Sequence, residues 1–298
     1  MNLRHRSRLI VIIAVAFTSV SAILIRLSSA PPLTIAAYRM LFAFLMIAPF
    51  ALRGVRGLSK RDVFLTVASG SFLALHFATW ITAVTMTSVA SATVLVSLHP
   101  VLVLAGTVLF FREKPLPGAV LLILTALLGT VILSWGDLRS GTGDVRGNLL
   151  AIAGAAAVSG YMLLGSNLRR RVGALQYNAM VYGVAAALLF PLALLWGSSL
   201  AGFAPEEYLI FLGLAFFCTI LGHALFNWAL KFVRATFVSS SILLEPVFAT
   251  TMAVFILGEI PSILTLVGGA VVMAALYGLA RGERKAGATV EEKMEVTG

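Results

Sequence analysis

Five side chains that ionise or hydrogen-bond strongly fall inside long apolar stretches: Arg39, His76, His99, His223 and Glu245. An ionised group at the centre of a membrane helix costs about 2.5–3.5 kcal/mol on insertion scales. Each therefore needs a reason, either binding a ligand or proton or tying helices together. Glu245 directly precedes Pro246, whose missing N–H frees the carbonyl of Ile242 and favours a kink, and Ser241 lies one turn earlier on the same face. That notch suits a substrate amine or a proton. A protonated Glu245 that only links helices, or a kink that matters by itself, fits the same residues. His99 stands before Pro100 in the same way, and Pro100 frees the carbonyl of Val96. Arg39 lies about seven residues into its stretch, deeper than easy snorkelling allows. A guanidinium held there clamps a carboxylate or phosphate bidentately, or else closes a structural ion pair or caps helix carbonyls.

Further polar residues recur at helical spacing. Thr219, His223 and Asn227 follow one another every four residues and predict a polar stripe on one helix face. His76 and Trp80 form a comparable pair in an earlier stretch. Tyr161 and Ser159, with Phe17, Thr18 and Ser21, are available to complete a water-filled cavity, although aromatic residues at this spacing also serve as packing. The expected substrate-binding set is Arg39, His76, Trp80, His99, Tyr161, His223, Asn227, Ser241 and Glu245. Glu113 and Glu259 sit beside Pro115 and Pro261, where a carboxylate favours the positive start of the next helix, and both read as structural. Gly147, Gly154, Gly160, Gly165, Gly268 and Gly269 allow close helix packing or a dimer contact.

The elements that position these groups follow from composition. With 60% hydrophobic and 11% charged residues in 298, the chain holds more apolar surface than a water-soluble fold can bury, so lipid must solvate much of it. Ten stretches approach the roughly 20 residues that a helix needs to cross a bilayer. They are 9–28, 32–52, 63–84, 88–111, 115–135, 147–168, 176–196, 207–230, 235–257 and 262–280. The connections between them are short and leave no room for a soluble catalytic or receptor domain. The expected fold is all-α and integral to the membrane. The single cysteine, Cys218, falls inside the eighth stretch and excludes an intramolecular disulfide.

The net charge of +10 is informative through its placement. Basic residues gather in alternate connections: Arg4, Arg6 and Arg8; Arg53, Arg56, Lys60 and Arg61; Arg112 and Lys114; Arg169 to Arg171; Lys231 and Arg234; and Arg281, Arg284, Lys285 and Lys293. These are 18 of the 22 basic residues, against Arg139 and Arg146 in the opposite connections. The positive-inside rule then puts both termini in the cytoplasm of a plasma-membrane protein and makes nucleic acid an unneeded explanation. A cleavable signal peptide competes for the N-terminus, but Arg26 interrupts its apolar run.

Self-similarity organises the ten stretches. Leu98-His99-Pro100-Val101 matches Leu244-Glu245-Pro246-Val247, and Pro100/Pro246, Glu113/Glu259 and Pro115/Pro261 all share an offset of 146. Each half then holds five helices, residues 1–140 and 141–281, followed by a tail over 282–298 expected to be disordered and cytoplasmic. Five is odd, so the second half enters the bilayer with opposite topology, a plan found in secondary transporters that bind substrate near the midplane.

These residues resemble a known family. Trp228-Ala229-Leu230-Lys231, Leu244-Glu245-Pro246-Val247, Leu257-Gly258-Glu259 and Gly268-Gly269-Ala270 look like the second repeat of the EamA family of the drug/metabolite transporter superfamily. Ala36-Ala37-Tyr38-Arg39 resembles the family's early arginine motif. The resemblance implies export of an amino acid, another metabolite or a drug. His99 opposite Glu245 departs from internal symmetry.

Other chemistries lack their motifs. No glycine precedes a lysine, so there is no Walker A loop, and neither HExxH nor G-x-S-x-G occurs. The reading is a gradient-driven transporter, not an enzyme, that moves a small organic molecule by alternating access. It needs no cofactor or metal, has proton coupling through Glu245 as a hypothesis, and leaves oligomeric state open. The competing reading is a membrane-embedded transferase acting on a lipid-linked group.

Overall fold

The computed structural model describes the backbone of residues 3–51, 58–87, 89–133, 135, 144–257 and 262–296. The expected repeat boundary at 140/141, together with Arg53, Arg56, Arg139, Glu259 and Pro261, lies outside the described residues. Those described form helices and no strands. Among the described residues, eight helices are long and apolar enough to cross a membrane: His5–Leu27, Pro32–Ala51, Lys60–Met86, Ser91–Phe111, Val145–Leu168, Ala174–Leu195, Pro205–Ala229 and Ile263–Gly282. Two shorter apolar helices, Ala119–Leu133 and Ala235–Ala249, accompany them. The outward faces agree with a lipid surrounding, since Leu109, Phe110, Leu195 and Ile263 are all more than 70% exposed, at 72%, 77%, 83% and 79%. The chain is a multi-pass membrane protein.

In chain order the elements are α1 (Leu3–Thr18), α2 (Ser21–Leu27), α3 (Pro32–Ala51), α4 (Lys60–Met86), α5 (Val89–Val96), α6 (His99–Phe111), α7 (Ala119–Leu133), α8 (Val145–Leu168) and α9 (Ala174–Leu195). Then come α10 (Pro205–Gly213), a π-helical segment Leu214–His223, α11 (Ala224–Ala229), α12 (Ala235–Ser241), a 3₁₀ turn Ile242–Leu244, α13 (Glu245–Leu257) and α14 (Ile263–Val296). The largest contacts pair α4 with α8, α9 with α3 and α4, and α7 with α14. The last pair crosses backbone to backbone: a Cβ on Gly268 would fall 2.4 Å from the Leu133 nitrogen and 2.6 Å from the Gly129 carbonyl. This glycine therefore serves packing within the chain.

The span His5–Leu27 breaks at Ser19 and Val20 between α1 and α2, and three further helices are interrupted for local reasons. Pro100 offers no N–H to Val96, so α5 and α6 are joined by a turn at Ser97 and Leu98. Pro246 acts likewise on Ile242, and α12 reaches α13 only through the 3₁₀ turn. The third interruption, the π-helical segment, widens the helical turn and ends on His223. α14 runs on to Val296, and after Gly282 the helix formers Glu283, Arg284, Lys285 and Ala286 follow with no proline to stop the ladder.

Candidate functional site

A small cavity of about 50 Å³ opens among these interrupted helices. Its wall is made by Thr18, Ser21, Arg39, His76, Phe77, Trp80, Val96, His99, Val158, His223, Phe226, Ile242 and Glu245. Eight of these fall into pairs separated by 146: Phe77 with His223, Trp80 with Phe226, Val96 with Ile242, and His99 with Glu245. Equivalent positions of the two repeats thus contribute to one wall. The last two pairs flank the two proline breaks.

Arg39 is held rigidly at 1% exposure. Its Nε donates to Thr219 Oγ1 at 2.8 Å, its Nη1 donates to Ser21 Oγ at 2.9 Å, and its guanidinium carbon lies 4.2 Å from the Phe77 ring centroid. None of the ion pairs among the described residues involves Arg39 or Glu245. The cavity therefore presents a fixed guanidinium to whatever enters, with Glu245 on the facing broken helix.

The histidines divide by role. His76 Nδ1 donates to the carbonyl of Gly154 at 3.0 Å, which leaves Nε2 as an acceptor. Gly154 makes this approach possible, because a Cβ there would meet Thr79 Oγ1 at 3.2 Å. The His76 ring lies parallel to Trp80 within 10°, centroids 6.0 Å apart, and 6.5 Å from the ring of His223. Trp80 Nε1 is buried and has no hydrogen-bond partner among the described residues, so it is a donor open to a ligand. His223 also packs edge-on against Phe77 and Phe226. His99 bonds only to the backbone, with Nδ1 2.9 Å from the Val96 carbonyl and Nε2 3.1 Å from that of Ser239.

Three expected site residues do not line the cavity. Asn227 Nδ2 donates to Tyr161 Oη at 2.5 Å and to Asn178 Oδ1 at 2.6 Å, forming a buried network behind the wall with Tyr161. The backbone of Asn227 is also fixed, its carbonyl accepting from Arg169 Nε at 2.8 Å. Ser241 turns back and donates to the carbonyl of Phe237 at 2.8 Å. The three residues spaced by four have different surroundings, and the helix passes from π to α between His223 and Ala224. Thr219 supports Arg39, His223 faces the cavity, and Asn227 points away.

Phe77, Val96, Val158, Phe226 and Ile242 were missed as lining residues. Adding 146 to Phe77 and Trp80, or to Val96, finds three of their partners, and that was the available signal. Also missed were two carboxylates where the halves meet. Glu207, at the start of α10, accepts from Ser28 Oγ at 2.5 Å, Ser29 N at 2.6 Å and Ser29 Oγ at 2.7 Å. Asp62, at the start of α4, pairs with Arg171 Nη1 at 3.1 Å. The two lie 145 residues apart, and each ties the start of one helix to a connection of the other half.

The cavity sets ionisable side chains into a mostly apolar wall inside a multi-pass membrane protein, and comparison with known proteins supplies the family. The pattern of the EamA-like transporter family matches residues 6–135 and 145–281, and the chain belongs to that family, part of the drug/metabolite transporter superfamily. Two uncharacterized transporters of Archaeoglobus fulgidus are similar, one 26% identical over 85% of this chain and 89% of its own length, the other 27% over 92% and 96%. The uncharacterized transporter YwfM of Bacillus subtilis is 27% identical over 86% of this chain and 87% of its length. A solved crystal structure superposes with a TM-score of 0.76 over 95% of this chain and 99% of that one, at 21% identity, so it shares the fold.

Proposed function

We propose that the chain is a secondary transporter of ten membrane helices, arranged as two inverted five-helix repeats, that exports a small organic metabolite such as an amino acid by alternating access. The observation that carries this reading is the cavity itself. Its lining comes in pairs from the two halves, and it holds a rigid guanidinium and a carboxylate that are not paired with each other. The shared offset of 146 supports the inverted repeat, because substrate sites in such folds lie between the halves. Arg39 retains guanidinium hydrogens beyond those given to Thr219 and Ser21, which suits a carboxylate, while Glu245 suits an amine or a proton. Export follows the family resemblance. The clustering of basic residues supports cytoplasmic termini and a plasma-membrane location.

The test is a counterflow screen on purified protein in liposomes, covering amino acids, nucleosides, sugar phosphates and cationic drugs. Saturable exchange of a chemically related group, amino acids first, is the expected outcome. Absence of exchange with every class, or chemical conversion of a lipid-linked compound by the purified protein, overturns the reading. Proton coupling through Glu245 fails if Glu245→Gln leaves flux and its pH dependence unchanged.

A further inference from the structure

His99 stands where the two proline-interrupted helices meet, and both of its ring nitrogens face carbonyl oxygens, 2.9 Å from Val96 and 3.1 Å from Ser239. Carbonyl oxygens only accept. A neutral imidazole carries one N–H, and its other nitrogen presents a lone pair. A neutral His99 therefore sets a lone pair against one of these oxygens, whereas the imidazolium donates to both. Neither oxygen is an ordinary helical acceptor. The Val96 carbonyl is the one left unfilled by Pro100. Ser239 lies in the last turn of α12, where the Ile242 N–H folds back onto it as the helix tightens. A second lone pair on that oxygen stays open to His99.

We propose that His99 is a proton-binding site, that its imidazolium form joins the broken helix of the first half (α5/α6) to that of the second (α12), and that the structure displays this joined state. Losing the proton removes one of the two bonds and frees α6 from α12. The proton comes from water in the cavity, which His99 lines, and returns to it. Other groups on the same wall weigh on the added charge. Arg39 on α3 opposes it and Glu245 on α13 favours it, while His76 on α4 and His223 at the end of the π-helical segment respond to it. Of the helices packed on α6, α7 and α12 bring no ionisable side chain. From α8, Ser159 Oγ donates to the His99 carbonyl at 3.2 Å, and Tyr161 is occupied by Asn227. The inference rests on the transport reading only for its consequence, that the proton biases which state of the cavity is populated.

The test is solid-state NMR of the full-length protein, labelled with ¹⁵N-histidine, in lipid bilayers between about pH 5 and pH 8, where histidine ordinarily titrates. His99 is assigned by signal loss in H99Q or, should that variant not fold, by elimination using H5Q, H76Q and H223Q. Spin labels on α6 and α12 report their separation in the same samples. The expected result is a ring protonated at both nitrogens at the acid end that loses one proton on titration, with α6 and α12 moving apart in step. P100A returns a backbone amide to Val96 and is expected to abolish the doubly protonated ring. A ring with one bare nitrogen at every pH, a titration without change in separation, or a doubly protonated ring persisting in P100A overturns the proposal. Flux measured alongside separates the two readings: an intact titration without flux sinks transport alone, and flux with a bare-nitrogen His99 sinks this proposal alone.

Discussion

Replacing Arg39 by lysine keeps the charge and loses the geometry. The guanidinium reaches Thr219 and Ser21 at once from a fixed plane over Phe77, and an ammonium on a flexible stem cannot. Arg39→Lys is therefore expected to lower solute flux about tenfold or more, the equivalent of roughly 1.4 kcal/mol; flux equal to wild type in liposomes would contradict a binding role. Trp80→Phe separates ring from donor. It keeps the stack on His76 and removes the unpartnered N–H, so substrate affinity should fall by about tenfold or less, as for one hydrogen bond of about 1 kcal/mol, with little change in melting temperature. Asn227→Ala has the opposite signature. It strands Tyr161 Oη and Asn178 Oδ1 in the interior and is expected to cost about 1–3 kcal/mol of stability, read by thermal unfolding in detergent. The first two positions were legible from sequence because ionisable and amphipathic residues in apolar stretches stand out. Asn227 was visible for the same reason, but its network was not, because Tyr161 and Asn178 come from distant parts of the chain.

At the scale of elements, the crossing of α7 and α14 depends on Gly268. A methyl at this position collides with backbone atoms, which have no rotamer to yield, so Gly268→Ala must push the helices apart. A loss of about 1–3 kcal/mol in stability is expected, and an unchanged melting temperature would show that the crossing is looser than described. The two carboxylate ties differ in kind. Asp62 pairs with Arg171, whose side chain is 44% exposed, and an exposed pair is worth about 0.2–1 kcal/mol, so a D62N/R171Q double-mutant cycle should show weak coupling. Glu207 accepts three hydrogen bonds at 8% exposure, so Glu207→Ala should loosen the α2–α3 connection. Faster modification of a cysteine placed at Ser29 would report that opening. Helix breaks at Pro100 and Pro246 were readable, since proline's missing N–H is a covalent fact. The π-helical segment carries no such mark. It packs against α1, and its Thr219 accepts from Arg39.

For the whole molecule, the proposed inverted topology predicts that reporter domains fused at either terminus remain cytoplasmic, and that a reporter in the connection after α4 lies outside. A reporter result on the opposite side for either terminus would undo the 5+5 arrangement and the reading of the charge pattern together. The amino-acid sequence by itself determined that this chain lives in lipid, because hydropathy is a sum over residues and needs no neighbours. It also determined that the chain repeats, because an offset of 146 is a property of the string. Only the tertiary structure decided which polar residues share the cavity and which knit its back wall, since His99 meets Ser239 across 140 residues and Arg39 meets Thr219 across 180. A side chain's direction in a packed bundle is set by the partner that satisfies it, and those partners lie far along the chain.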